Sequence, residues 1–395
     1  MRQYEINGAG LILPLCIYEV KIMHSIENQK GTLTQLLQTV QERANRSADF
    51  LTSTNNLVKT TDADGQAKLV IEQDGGEPTR ILDINEFTQG QIAQAAEIDT
   101  RTARRLQANY PAEYDALINA RWQKEPVNRM VRTYLNLDET MGTARAFVSD
   151  KFKTFDNVNL LQASLPQLME SEAQWKVVNA DVSDKRLYLR LKSETQTGTG
   201  AAVGDVMANG IGFQNSEVGA GSVSVYQISW TLACENGMQT QNKTRSSHIT
   251  SARDQSDYGL LSNEAKDADN RALELKLRDL TAAYASRESF DAVLDQMRRA
   301  ADDVIEGEYE VVDIVESVGT VLKLSKKENN DVLNGLMQTI GQSGYEQGRP
   351  LSRATLVNAV TACAHKADID DVDMWQERGG QLLNISNRDW ARIAA

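Results

Sequence analysis

Three histidines, three cysteines and a glycine-rich segment hold most of the scope for chemistry in this 395-residue chain. His24, His248 and His365 are too far apart to act together as metal ligands on one helix, and Cys363-Ala364-His365 is the sole adjacent soft pair. A zinc site takes about four such ligands, so no metal is expected. The segment Gly198-Thr199-Gly200-Ala201-Ala202-Val203-Gly204 is superficially like a dinucleotide loop, but its third glycine comes one position late and no amphipathic helix follows. It is read as a mobile loop between strands. Neither a Gly-x-x-x-x-Gly-Lys-Ser/Thr phosphate loop nor a Gly-x-Ser-x-Gly elbow occurs, so motor ATPases and serine hydrolases have no anchor here. The expectation is a protein without catalysis and without a cofactor. Asn215, Ser216 and Glu217 would enter an enzymatic reading only in an ordered pocket with a partner group.

Two cationic features remain. In Arg186-Leu187-Tyr188-Leu189-Arg190-Leu191-Lys192 the residues alternate, so a strand sends Leu187, Leu189 and Leu191 to one face and Arg186, Tyr188, Arg190 and Lys192 to the other. Such a face offers three positive charges to phosphates and Tyr188 for stacking on a base, as single-strand binders do. Lys151 and Lys153 would extend the stripe. An ordinary solvated sheet face gives the same alternation. The second feature is Gln91 to Leu106, which reads like a helix-turn-helix whose second helix carries Arg101, Arg104 and Arg105. Glu97 stands at the turn position usually given to glycine, four residues after Ala93, so a helix pair that merely packs is the preferred expectation. From 101 to 135, seven basic residues face three acidic ones, whereas the whole chain has 42 Lys plus Arg against 55 Asp plus Glu, a formal charge of −13. Long-range capture of a polyanion is therefore disfavoured, and any nucleic acid needs a local patch.

The elements that position these residues divide the chain into four parts. Residues 1–84 read as an extension, a helix and short strands around the Asp62-Ala63-Asp64-Gly65 turn, with 1–22 as a segment upstream of the fold. Residues 85–142 read as a helical block, from the spacing of Ile92, Ala96, Leu106, Leu117, Ile118 and Trp122. Residues 143–250 have period two and form the sheet, interrupted by a loop with seven glycines between Gly198 and Gly221. Residues 251–395 are helical again, with a helix pair over 263–301, an acidic run over 302–316, and Leu351, Leu356, Val357 and Val360 beyond. The fold class is α+β: a central antiparallel sheet with a hairpin, flanked by an N-terminal helical block and C-terminal helices. Cys16, Cys234 and Cys363 cannot build a disulfide framework and read as small buried residues in a reducing cytoplasm. The most apolar terminal stretch, Gly8 to Ile17, is far short of the roughly 20 residues a bilayer needs, so no membrane is expected.

Three segments carry a resemblance. Gly210-Ile211-Gly212-Phe213-Gln214-Asn215-Ser216-Glu217-Val218-Gly219-Ala220-Gly221, running on to Trp230 and Met238, resembles the central signature of the phage/plasmid-like protein family, a domain of unknown function. Asn358-Ala359-Val360-Thr361 with Gly379-Gly380 is similar to that family's closing helix and double-glycine turn, and Val148-Ser149-Asp150-Lys151-Phe152 resembles its strand ending in a basic and an aromatic residue. The resemblance covers residues 85 to 395. It implies a protein of phages, plasmids or integrated elements, and its helix-then-sheet layout is similar to that of phage single-strand annealing proteins. The leading expectation is thus single-stranded DNA binding that supports annealing, recombination or replication in a ring or filament of copies, beside a phage or host recombination protein. The alternatives are a protein-interaction module acting on a host system, using the helices of 263–301, and a duplex-DNA regulator using residues 91–106.

Overall fold

A computed structural model describes residues 26–27, 32–72, 79–200, 206–231, 236–246, 261–340, 350–367 and 369–394. Residues 1–22, Cys16, His24, Cys234 and His248 lie outside that set. Two six-stranded sheets organise the chain, where one was expected. In the central sheet, β8 (Trp175–Val182), β9 (Leu187–Thr199), β10 (Val206–Asn215), β11 (Val223–Thr231) and β12 (Asn236–Ser246) form an antiparallel meander, and β1 (Ile26–Glu27) adds in parallel beside β8. The first face of β9 behaves as its pattern requires. Leu187, Leu189 and Leu191 are buried with Leu33, Leu37 and Val40 of α1 (Thr32–Arg46), Leu161 and Leu165 of α5 (Asn157–Glu170), and Leu273 and Leu277 of α6 (Asn263–Ala285).

The glycines expected to make a mobile loop serve β10 instead. A Cβ on Gly212 would sit 2.2 Å from the Tyr226 ring, and one on Gly210 2.3 Å from the Trp230 indole nitrogen. Only glycine lets those large rings from β11 lie flat across the neighbouring strand. Residues 201–205, which complete the glycine-spaced segment, lie outside the described set.

The N-terminal sheet has the order β2 (Ser47–Ser53), β6 (Asn128–Leu135), β7 (Met141–Ser149), β5 (Arg80–Ile84), β4 (Ala67–Ile71), β3 (Leu57–Thr61). The expected turn joins β3 to β4: Asp62 accepts the amides of Asp64 and Gln66, and Gly65 takes φ +81°. The expected helices appear as α2 (Glu86–Ala95), α3 (Thr100–Asn109) and α4 (Pro111–Lys124), but they end earlier than the spacing suggested. Residues 128–135 are a strand, because Val131, Thr133 and Tyr134 favour a pleated surface and pair along β7. A division at residue 142 falls inside β7.

The C-terminal part adds α7 (Arg287–Asp302), α8 (Val311–Leu322), α9 (Lys326–Ile340), α10 (Arg353–Ala362), α11 (Ile369–Leu383) and α12 (Asn387–Ile393). They share a core of Phe290, Leu294, Val318, Leu336, Leu356 and Leu382, joined by Met207 and Met238 of the central sheet. Gly379 and Gly380 lie within α11 rather than in a turn. A Cβ on Gly379 would meet the Thr361 methyl of α10 at 2.3 Å, so this glycine lets two helices approach.

The two sheets meet through a buried ionic network. Arg132 of β6, 1% exposed, donates to both Asp49 oxygens at 3.0 and 3.1 Å, to Asp156 at 2.7 Å and to the Glu217 carbonyl at 2.7 Å. Burial opposes its charge, but Asp156 and Asp49 more than offset this and keep the guanidinium pKa well above its ordinary value. Arg145 of β7 binds the Glu217 carboxylate, whose other oxygen accepts the Asn157 amide at 2.7 Å where α5 begins. Glu217 sits in the turn between β10 and β11. Replacing it with Ala would strand Arg145 without a counter-charge, at a cost of roughly 3–5 kcal/mol. Urea unfolding of Glu217→Ala reads this directly, and a loss below about 1 kcal/mol would remove the network from its role as the joint.

Candidate nucleic-acid interface

The second face of β9 is not an open cationic surface. Tyr188 is 2% exposed and Arg190 3% exposed, and Arg190 is met by Asp373 of α11. Arg190 donates to Asp373 of α11 at 2.7 Å, and the same carboxylate oxygen accepts from the Tyr226 hydroxyl at 3.0 Å and Gln239 at 2.8 Å. Burial works against the Arg190 charge, yet the Asp373 carboxylate beside it outweighs this and raises its pKa. Arg186 is partly buried, donating to the Ala220 carbonyl at 3.1 Å and to the Tyr188 hydroxyl at 3.1 Å, which ties the start of β9 to the β10–β11 turn. Lys153 is 7% exposed and paired with Asp269 of α6 at 2.5 Å. Arg186, Lys151 and Lys192 of the proposed stripe are half-buried, and Tyr188, Arg190 and Lys153 are buried. Of the expected strand contacts Arg186, Tyr188, Arg190, Lys192, Lys151 and Lys153, the buried Tyr188, Arg190 and Lys153 are corrected, because their side chains are enclosed by the fold. The side chains alternate as read, but the second face is an internal polar layer.

The signature around Asn215 is also scaffold. The Asn215 amide donates to the Phe155 carbonyl at 2.9 Å and to Asn157 Oδ1 at 3.0 Å. Ser216 donates to the Lys185 carbonyl at 2.7 Å and accepts the Ala220 amide at 2.8 Å. Both residues are 0% exposed, and Glu217 is spent on Arg145, so these three groups set the turn and its fit to the N-terminal sheet.

The α2–α3 pair is different. Ile92, Ala93, Ala96 and Ala103 are buried on the N-terminal sheet, with Ile98 and Leu106 packed at their edge. Asn85 caps α2 by accepting the Thr88 amide at 2.8 Å, and Asp99 caps α3 by accepting the Thr102 amide at 2.9 Å. Between the caps, Glu97 takes φ +58°, the left-handed conformation that glycine normally supplies at this point. Arg121 of α4 holds the turn, donating to the Ala96 carbonyl at 2.9 Å and pairing with Glu97 at 3.0 Å. Glu97 therefore takes, at this turn, the left-handed backbone that glycine usually supplies. Arg101, Arg104 and Arg105 all lie exposed on α3. Arg104 pairs with Glu86 at 2.6 Å; neither Arg101 nor Arg105 has an ion pair among the described residues. Of the other cations in the 101–135 count, Lys124 is exposed, Arg121 and Arg129 are half-buried and Arg132 is buried. Arg132 belongs to the joint, Arg121 to the turn.

Among the described residues no group of three or more His, Cys, Asp or Glu is arranged to hold a metal, and no helix is long and apolar enough to cross a membrane. Cys363 is buried, and desolvation pushes its thiol up to about 12. No protein-family model, curated protein or solved structure matches this chain.

The internal layer has a measurable signature. Arg190→Ala leaves Asp373 buried without its cation, so the expected result is a loss of several kcal/mol, roughly 3–5, in urea unfolding. Arg190→Ala combined with Asp373→Ala should recover part of that loss, and strictly additive losses would mean the two charges are not coupled.

Proposed function

We propose that this chain is a non-enzymatic DNA-binding protein that engages duplex DNA through the helix-turn-helix of α2 and α3. The observation that carries this reading is the left-handed turn at Glu97, four residues after the buried Ala93, with Arg101, Arg104 and Arg105 exposed on the helix that follows. In this motif the second helix lies in the major groove and its first residues reach base edges. Arg101 lies in the first turn of α3 and Arg105 one turn on, so both share a face. Arginine forks suit both guanine edges and phosphates. The net charge of −13 repels DNA at distance, which makes binding dependent on this patch and steep in salt. The similarity to phage/plasmid-like proteins supports a cytoplasmic role on a mobile element.

Single-strand annealing through the central sheet is the weaker reading. A strand of DNA would reach Arg190 only after α11 left the sheet, breaking the Asp373 bonds and the apolar packing of Trp375, and Tyr188 is itself 2% exposed. Fluorescence anisotropy with a labelled duplex and the matching single strand, at two salt concentrations, separates the two. Duplex preference is expected, and Arg101→Ala with Arg105→Ala should lower the salt slope by about one unit per lost phosphate contact. Preference for the single strand with an unchanged slope in that variant would return the function to annealing. Binding to neither would favour the protein-interaction module.

A further inference from the structure

A cavity of about 620 Å³ opens between the C-terminal turn of α1 and the β6–β7 face of the N-terminal sheet. It is distinct from α3, and the DNA reading assigns it nothing. Its size lies within the range of small-ligand sites. Three arginines line it, Arg43, Arg46 and Arg145, together with Tyr134. The Arg145 guanidinium lies 4.5 Å from the Tyr134 ring centroid and that of Arg43 5.9 Å from it.

Their structural bonds leave donors over. Arg46 gives Nε to the Leu135 carbonyl at 3.0 Å and Nη2 to Asn136 at 3.2 Å, leaving Nη1. Arg43 gives Nη1 to the Ser183 carbonyl at 2.8 Å, and its nearest carboxylate, Asp184, is 3.9 Å away. Arg145 is 2% exposed and spends Nη1 and Nη2 on Glu217, Tyr134 and Ser47, while its buried Nε has no partner among the described residues. That nitrogen has essentially no exposed surface, so the donors open to an occupant of the cavity are those of Arg43 and Arg46.

We infer that this cavity binds a mononucleotide-sized molecule carrying a phosphate. The arginines supply forked donors for the phosphate oxygens. The volume is several times that needed by the anion alone, and Tyr134 offers an aromatic surface already polarised by two cations. Glu42 and Asp184 also line the cavity and are exposed. They would repel a bare, highly charged anion but accept hydrogen bonds from sugar hydroxyls or an exocyclic amine.

Isothermal titration of the full chain with adenosine 5′-monophosphate, guanosine 5′-monophosphate, adenosine and inorganic phosphate tests the assignment. At least one monophosphate should bind, and it should bind more tightly than either adenosine or phosphate. Arg46→Ala should weaken it by about tenfold or more, the scale of one lost charge-assisted hydrogen bond, while Lys124→Ala, at an exposed residue of α4 outside the cavity lining, leaves it unchanged. If Arg46→Ala loses its helical circular dichroism, Arg43→Ala takes its place with the same expectation. Absence of binding by every probe at millimolar concentration overturns the inference. So does equal binding of phosphate and monophosphate, or an unchanged affinity in the arginine variants. None of these results bears on duplex binding, which α3 carries.

Discussion

The insertion of Glu217 between Arg132 and Arg145 is the constraint on which the architecture rests. One residue of the central sheet's β10–β11 turn gives its carbonyl to one arginine of the N-terminal sheet and its carboxylate to another, and also receives the first amide of α5. Two sheets and the helix between them are thereby held at one point. In a low-dielectric setting each of these charges is tolerable only because the others are present. Arg186, reaching the Ala220 carbonyl, fixes the same turn from its other side. The central signature of the sequence is therefore a mould for this joint, and its glycines and small polar residues are what a tight, buried turn demands.

Much of the architecture is legible in local pattern. The apolar stripe of Leu187, Leu189 and Leu191 reads as a buried strand face and is one. The helix pair over 263–301, the turn at Gly65 and the buried Leu356–Val360 face follow from spacing alone. The second face of β9 was not legible in the same way. Alternating charge looks the same whether it meets water or a carboxylate, and that carboxylate, Asp373, lies 183 residues further along the chain. The strand β6 was hidden for a related reason: Trp122, Met130, Val131 and Leu135 continue an apolar spacing that helix and strand can share over a short run, and pairing with β2 and β7 decides between them.

The candidate interface shows the opposite case. Ala93, Ala96 and Arg101–Arg105 are visible in the sequence, but the absence of glycine at position 97 argued against the bend. Left-handed backbone at a glutamate carries a modest strain, and here Arg121 supplies compensation by binding both the preceding carbonyl and the Glu97 side chain. Nothing in the local string announces that partner, which comes from the next helix.

The order of strands in the N-terminal sheet has a consequence for synthesis. β2 pairs with β6, Ser47 opposite Tyr134, and α2, α3 and α4 are all translated between them. At ordinary elongation rates β2 leaves the ribosome on the order of ten seconds before its partner exists. During that interval Phe50 and Leu51 sit on a strand with unpaired backbone on both edges, the situation in which nascent chains are most exposed to wrong pairing. Long-range closure of this kind also slows folding of the finished chain. Folding of the N-terminal sheet during synthesis is thus sensitive to the pace of translation.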